Sequence, residues 1–460
     1  MAEVPPVLLD RRAGVPLAVQ LADGLRAATA GGTLRSGDRL PSTRELATAL
    51  QVSRTVTAAA YDQLLAEGWV EGRRGVGTFV VGTPAHRQPD AVRAVPVPRV
   101  PAAPMVDLRA GSPCLEVLDP AAWRRAWRCA GDLAPDGDPD PVGAPGFRAA
   151  VAEHLLRHRG LPAEPDDVLA TAGTSAAVAE IAALLPRGAR VAVEDPGYQR
   201  AVGALHAAGV TVLPVPVDAD GIVVDAVPRG VAAVYCTPAH QYPLGRRLSA
   251  ARRMALVTRA RTEGWWVLED DYDGELRYDV APLPLLAALG PDVVAHLGTT
   301  GKILSPTLGV GWLMAPPSLR DALVARRTAT GTRPARAGQR VLAALAESGD
   351  LSRHLRRLRR ELSARRALVL AAVADAGCRT EGDVAGAHVV VPLPDPAVEE
   401  AVVAAAAARH VALDGLTRHH LAGVADTERR AGIVLGWAAP TRAELTGALS
   451  ELTAVLAARP

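Results

Sequence analysis

The stretch Leu297-Gly298-Thr299-Thr300-Gly301-Lys302-Ile303-Leu304-Ser305-Pro306 holds the only lysine of the chain, where lysine and arginine together number 51 in 460 residues. Surface ion pairs, phosphate contacts and helix C-termini all accept a guanidinium, so arginine serves wherever positive charge is the sole requirement. One task excludes it: a primary amine that gives up its proton and attacks a carbonyl to form an imine. Guanidinium stays protonated at any accessible pH, whereas an ammonium can be tuned down into a nucleophile. The competing explanation is a base-composition bias that depletes lysine everywhere and leaves one by chance. The neighbours of Lys302 decide between the two. An apolar, strand-like run at 293–297 precedes it and another at 309–315 follows. Further strands are predicted at 190–194, 210–215, 230–236 and 265–269, with helices at 174–185, 198–208 and 249–263 between them. This alternation is the signature of an α/β domain built on a mostly parallel sheet.

Ligands of such sheets bind beyond the carboxyl ends of the strands. The unusual residues gather there. Asp270-Asp271-Tyr272-Asp273 leaves the strand at 265–269, and Thr171-Ala172-Gly173-Thr174-Ser175 opens a helix whose free N–H groups suit a phosphate. Asp195-Pro196-Gly197-Tyr198 offers an aromatic ring at another strand end. Each piece alone is a common loop, cap or turn. Together with Lys302 they supply an amine for an imine, a carboxylate for a pyridinium nitrogen, a phosphate cup and a ring to stack, the needs of one aldehyde coenzyme. Lys302 is not a P-loop lysine, because His296 stands where the first glycine belongs and Ile303 where Ser or Thr should be.

Ahead of this domain the chain reads differently. A helix over 16–29 carries Leu17, Leu21, Leu25 and Ala28 on one face, and 34–41 is a turn-rich link. Ser42-Thr43-Arg44-Glu45 is a capping box that opens a short helix to Leu50. Ser53 caps a second helix over 54–67, with Val56, Ala60 and Leu64 inward. Two short helices joined by a tight turn make a helix-turn-helix, and Ser53, Arg54 and Thr55 at the start of the second would face a major groove. Residues 69–80 form two β-prone runs around a Gly/Arg tip, a wing carrying Arg73, Arg74 and Gly75. Arg44, Arg54, Arg73 and Arg74 thus mark the places where such a unit meets a duplex. Six prolines between residues 83 and 104 read as a spacer.

Apolar content of 49% and a net charge of +2 describe a soluble protein whose nucleic-acid contacts are local. Cys114, Cys129, Cys236 and Cys378 lack C-x-x-C spacing and read as reduced thiols. The histidines show no metal-ligand spacing, so no metal is expected. With no signal-peptide core and no membrane-length apolar run, a cytoplasmic protein without membrane contact is expected.

The string GTLRSGDRLPSTRELATALQVSR with AYDQLLAEGWVEGRRGVGTFV closely resembles the winged helix-turn-helix of GntR regulators. VEDPGYQRAVGAL, VYCTPAHQYPLG, VLEDDYDGELRY and LGTTGKILSPTLGVGWL resemble a fold-type I aminotransferase. Wing, proline linker and aminotransferase-like part in this order strongly resemble the MocR subfamily over nearly the whole chain. The resemblance implies a winged helix-turn-helix domain at 1–82, a linker at 83–104, and a large α/β fold-type I domain at 105–460 that binds pyridoxal 5'-phosphate. It implies that Lys302 forms the Schiff base, Asp270 pairs with the pyridinium nitrogen, Tyr272 reaches the ring hydroxyl and Tyr198 flanks the ring. Gly173, Thr174, Ser175 and Thr299 would hold the phosphate, and His240 is a further ring contact. Arg200 would grip the carboxylate of an amino-acid effector, or is a solvated helix arginine. Arg44, Arg54, Arg74 and Gly75 would touch DNA. The chain departs from the family pattern at Gly301 (usually Ser), at Gly309 (usually a phosphate-neutralising Arg) and at Val434, where aminotransferases carry a substrate-carboxylate arginine. The implied function is a homodimeric transcriptional regulator that binds operator DNA and senses the coenzyme or an amino compound reacting with it. The alternative is a working aminotransferase that carries a DNA-binding domain.

Overall fold

The computed structural model describes residues 7–73, 75–81, 105–135, 137, 140–278, 283–424 and 429–459. The chain divides into two compact units, Met1–Val100 and Pro101–Pro460. The expected linker at 83–104 and the wing residue Arg74 lie outside the described residues.

In the first unit the order is α1 (Leu17–Ala30), β1 (Arg39–Leu40), α2 (Thr43–Ala49), α3 (Arg54–Ala66), β2 (Val70–Arg73) and β3 (Gly77–Val80). The capping box forms as its sequence demands. Ser42 Oγ accepts from the Glu45 amide at 3.2 Å, and the Glu45 carboxylate accepts from the Ser42 amide at 2.8 Å. Ser53 caps α3 by accepting from the Val56 amide at 3.4 Å. Leu21, Leu25, Leu46, Ala60, Tyr61, Leu64, Val70 and Val80 make the core. Val56 is only half-buried, and Thr57 takes the inward position, its hydroxyl donating to the Thr43 carbonyl at 2.8 Å. That bond ties the start of α3 to the start of α2. The link expected at 34–41 is not all turn: β1 pairs antiparallel with β3 (Arg39↔Phe79, Leu40↔Thr78), giving the sheet order β1-β3-β2. Two residues are too few to show a period-2 pattern, so the strand had no signature of its own.

The second unit begins with β4 (Val106–Asp107), α4 (Pro120–Asp132), α5 (Pro145–Arg159), β5 (Val168–Thr171) and α6 (Thr174–Ala182). It continues through β6 (Arg190–Asp195), α7 (Gln199–Ala207), β7 (Thr211–Asp218), β8 (Gly221–Ile222), β9 (Ala233–Cys236), α8 (Ala250–Glu263) and β10 (Trp266–Asp270). Then come α9 (Leu286–Leu289), β11 (Val294–Thr299), β12 (Gly311–Met314), α10 (Pro317–Thr330), α11 (Arg336–Glu347) and α12 (Asp350–Asp375). The last elements are β13 (His388–Leu393), α13 (Pro396–Ala408), β14 (Val411–Ala412), β15 (Ala431–Gly436) and α14 (Arg442–Ala457). Eight strands form one sheet in the order β5-β12-β11-β10-β9-β6-β7-β8. The pairs β11–β10, β10–β9, β9–β6 and β6–β7 are parallel, while β12 and β8 run against their neighbours. Apolar clusters cover both faces, which is why β9, β10 and β11 read as continuous apolar runs rather than alternating ones. A smaller antiparallel pair, β13–β15, packs with α13. No helix among the described residues is long and apolar enough to cross a membrane.

Candidate functional site

The carboxyl ends of β5, β6, β9, β10 and β11 converge on one edge of the large sheet, and the chain leaves each through a loop. β10 ends on Asp270, which is 3% exposed. Its Oδ2 accepts from the Tyr235 hydroxyl at 2.6 Å, and its Oδ1 is buried with no hydrogen-bond partner. Tyr235 sits on β9, the parallel neighbour of β10, in register with Leu268. Burial raises the Asp270 carboxyl to about 7, the Tyr235 hydrogen bond and the Lys302 charge opposing the rise. Lys302 follows β11, and its Nζ donates to the Gly111 carbonyl oxygen. A Cβ added at Gly111 would stand 3.5 Å from that nitrogen. Burial, then the charge of Arg200, lowers the Lys302 ammonium below its ordinary 10.5, the direction a nucleophilic amine requires. Exposed Arg200, the second residue of α7, is therefore within electrostatic reach of Lys302.

The start of α6 lies on the same edge. Gly173 holds φ at +114°, a conformation that favours glycine, and a Cβ there would meet Thr299 Oγ1 at 3.6 Å. Thr299, Gly173, Thr174 and Ser175 are thus brought together around the free N–H groups of the helix. Ser175 Oγ is 3.4 Å from the Tyr198 hydroxyl, which places Tyr198 at the rim, with Tyr242 edge-on to its ring at 5.8 Å.

The acidic run after β10 divides its labour. Asp271 takes a buried two-pronged bond from Arg159, at 2.6 and 2.8 Å, and is structural. Asp273 Oδ2 lies 2.9 Å from His240 Nδ1. Tyr272 donates its hydroxyl to the His240 carbonyl at 2.9 Å and stacks on the His240 ring. His240 is 2% exposed and packs on His388, with ring centroids 4.7 Å apart. It supports Tyr272 from behind. The ligand atoms of His240, Asp273 and His388 lie within 4.8 Å of one another, a grouping that their separation along the chain concealed.

The three departures from the family pattern have physical consequences. A Cβ at Gly301 would press on Thr299 Oγ1 at 3.3 Å. Gly309 is left-handed at φ +56°, with nothing within 4 Å of an added Cβ. Val434 is fully buried among Leu244, Val390 and Leu416. Arg430 is tied to Glu381 at 2.6 Å.

In the first unit Arg44, Ser53, Arg54 and Thr55 are exposed at the starts of α2 and α3, drawn close by the Thr57–Thr43 bond. Gly75 turns the wing at φ +75°. Arg73 is partly spoken for, 2.6 Å from Glu71 and 4.5 Å above the Phe79 ring. Arg39, expected in a turn-rich link, reaches the wing because β1 pairs with β3: a Cβ at Gly77 would stand 2.8 Å from Arg39 Nε. Arg39, Arg73, Gly75 and Val76 line a shallow open groove there.

Residues 17–80 match the family of bacterial regulatory proteins described as gntR, and residues 104–434 match aminotransferase class I and II. The chain is 34% identical over 449 residues to the HTH-type pyridoxine biosynthesis transcriptional regulator PdxR of Corynebacterium glutamicum, covering 97% of this chain and 98% of that one. It is 33% identical over 391 residues to the "Probable rhizopine catabolism regulatory protein MocR" of Rhizobium meliloti, covering 79% and 78%. Among solved structures it resembles LysN, an α-aminoadipate aminotransferase of Thermus thermophilus complexed with N-(5'-phosphopyridoxyl)-L-leucine. That likeness has a TM-score of 0.67 and 25% identity over 76% of this chain and 92% of that one. A gntR-type helix-turn-helix followed by a class I and II aminotransferase fold, with whole-length kinship to PdxR, defines the chain: it belongs to the gntR family of transcriptional regulators, in the branch of MocR and PdxR.

Proposed function

We propose that this regulator holds pyridoxal 5'-phosphate at the sheet edge through Lys302 and adjusts its grip on operator DNA to the state of that site. The observation that carries the proposal is Asp270: a buried carboxylate with one oxygen bonded to Tyr235 and the other lacking a well-formed hydrogen bond, the Thr174 side chain being a polar neighbour, within electrostatic reach of the only lysine. A buried acceptor without a well-formed hydrogen bond costs free energy unless a ligand supplies the donor. The protonated nitrogen of a pyridine ring is such a donor.

The bound coenzyme would supply an aldehyde that condenses with primary amines and a ring that withdraws electrons. The remaining work falls to the chain. Asp270 Oδ1 accepts the ring N–H, and the Tyr235 bond at Oδ2 favours the ionised carboxylate against the burial that raises it. Lys302, its ammonium destabilised by burial and by Arg200, offers a neutral amine more readily than a solvated lysine does. Thr299, Thr174 and the Ser175 amide receive the phosphate, helped by the helix dipole, with the Gly173 amide turning to it from Thr171 Oγ1, to which it donates at 3.2 Å. Tyr272, braced by His240 and Asp273, reaches the ring hydroxyl, and Tyr198 flanks the ring. No arginine stands at Gly309 to neutralise the phosphate. That absence removes a charge-assisted contact worth roughly 1.5–3 kcal/mol and favours reversible coenzyme binding. Arg200 receives the carboxylate of an amino-compound effector, since Val434 offers no charge.

DNA contact falls to Arg44, Ser53, Arg54 and Thr55 at the two helix starts and to Arg39, Arg73, Arg74 and Gly75 at the wing. Two copies of the chain, each presenting one recognition helix, suit paired half-sites. The test is a titration with pyridoxal 5'-phosphate followed by an amine panel, with DNA affinity read at each stage. A band near the visible edge that amines displace, with a matching change in DNA affinity, supports the proposal. Sustained turnover of pyruvate or 2-oxoglutarate with unchanged DNA affinity would replace it by the aminotransferase reading.

A further inference from the structure

Arginines in the second unit are mostly spent on partners. Arg159 binds Asp271, Arg327 binds Glu180 and the Ala170 carbonyl, and Arg365 binds Glu361 and three carbonyls. The exposed sides of α4 and of the first half of α12 are different. Arg124, Arg125 and Arg128 are exposed on α4, and Arg353, Arg356 and Arg360 are exposed on α12, with Arg357 half-buried among them. The two helices are stitched together at Asp350, which accepts from Arg125 at 2.9 Å and from Arg353 at 2.7 Å. Asp119, the cap of α4, feels the charges of Arg357 and Arg125. These cross-contacts make one surface of the seven arginines. Among the described residues Asp119 and Asp350 answer them and are committed, and Asp132 stands one helical turn beyond Arg128, so the patch carries a surplus of about four positive charges. The whole chain carries +2.

A composition bias explains arginine in place of lysine. It does not explain why arginines outnumber acids on this face while the buried arginines are matched to theirs. Like charges spaced i,i+4, as Arg124 with Arg128 and Arg356 with Arg360 are, destabilise a helix. Among the described residues none of these four has an acid partner. Such repulsion is relieved by a polyanion. A guanidinium offers a fork of donors to a phosphate, and a duplex presents a dense row of phosphates.

We propose that the α4–α12 face is a second DNA-contacting surface, which grips the phosphate backbone of the duplex outside the sequence read by the helix-turn-helix. The proposal rests on the DNA-binding reading above. It adds affinity and salt dependence but no base specificity, because phosphate contacts position a duplex without reading it. In this arrangement the effector domain takes part directly in holding operator DNA.

The experiment uses the full-length protein and a duplex that the protein itself selects from a random pool. The duplex is presented as a core of about 20 base pairs and within a duplex of about 60, the scale on which backbone contacts beyond the core become available. The variant combines Arg124→Gln, Arg128→Gln, Arg356→Gln and Arg360→Gln, and a companion carries lysine at the same positions. On the long duplex the glutamine variant is expected to lose at least about tenfold in affinity near physiological salt. Its log K against log salt slope should be shallower by about 3–4 per protomer, at roughly 0.9 for each phosphate no longer neutralised. On the short duplex it should match the parent, and the lysine variant should match the parent on both. Equal slopes for parent and glutamine variant on the long duplex overturn the inference, as does an equal loss on both lengths. In those cases Arg54→Ala, tested on the short duplex, still reports on the helix-turn-helix independently. Failure of the intact protein to enrich any duplex would overturn both readings together.

Discussion

Tyr235→Phe removes one hydroxyl and leaves every apolar contact of the ring in place. The hydroxyl donates at 2.6 Å to a buried carboxylate whose other oxygen lacks a well-formed hydrogen bond. A hydrogen bond to a charged group contributes roughly 1.5–3 kcal/mol, because leaving the charge unsolvated costs more than a neutral bond returns. If the ionised form of Asp270 is what receives the coenzyme, the loss appears as a ten- to hundredfold weaker affinity for pyridoxal 5'-phosphate. A second consequence has a definite sign. The Tyr235 bond opposes the burial that raises Asp270 to about 7, so its removal moves the carboxyl further upward. The pH at which coenzyme affinity is half-developed should therefore rise in the variant. The assay is an absorbance titration with the coenzyme from pH 6 to 9, with Asp270→Asn as the fully disabled reference. Affinity within twofold of the parent at every pH, with the midpoint unmoved, would refute the assignment of Asp270 and Tyr235 as a pair.

Three further predictions concern stability and binding. In the coenzyme-free protein burial raises both Asp270 and Glu194 to about 7, so the fold holds protons that the unfolded chain releases above about pH 4. The contribution of these two groups to stability is full below about pH 4 and is lost as pH rises from there to about 7, by up to about 4 kcal/mol for each group. Between pH 5.5 and 7 the melting temperature of Asp270→Asn, relative to its own value at pH 5.5, should fall less than that of the parent, and a profile identical to the parent's would contradict the raised, buried carboxyl. Gly309→Arg adds a cation where the family pattern has one, at a left-handed backbone position with open space. It should tighten coenzyme binding by about tenfold while lowering the melting temperature of the coenzyme-free protein by a few degrees, since the left-handed conformation costs a non-glycine residue about 1–2 kcal/mol. Arg54→Ala should weaken operator binding by roughly tenfold or more and leave the coenzyme spectrum alone, as measured by fluorescence anisotropy. Undiminished DNA affinity would show that another element reads the groove.

Local signals carried much of the architecture. The Ser42–Glu45 box and the Ser53 cap are complete within four residues, so their helices could be read directly. The continuous apolar strands and Lys302 stand out without neighbours in space. Residues that matter through pairing were hidden. Tyr235 looked like one more strand residue, because its bond to Asp270 depends on β9 lying parallel beside β10 in a particular register. Arg39 was hidden by a strand of two residues that exists only because β3 is there to pair with it. The run Asp270 to Asp273 looked like one acidic cluster. Leaving a strand, successive side chains turn to opposite sides, and the three carboxylates meet Tyr235, Arg159 and His240 respectively. His240 and His388 come together only when β13 is laid against the loop after β9.

The central claim is that Lys302 is the amine that binds the coenzyme. Borohydride reduction of the protein loaded with pyridoxal 5'-phosphate, followed by proteolysis and mass spectrometry of the peptides, tests it most directly. A stoichiometric pyridoxyl modification on the peptide containing Lys302, absent from Lys302→Arg, is the expected result. A protein that stays unmodified, or carries the label only on its N-terminal amine, would contradict it.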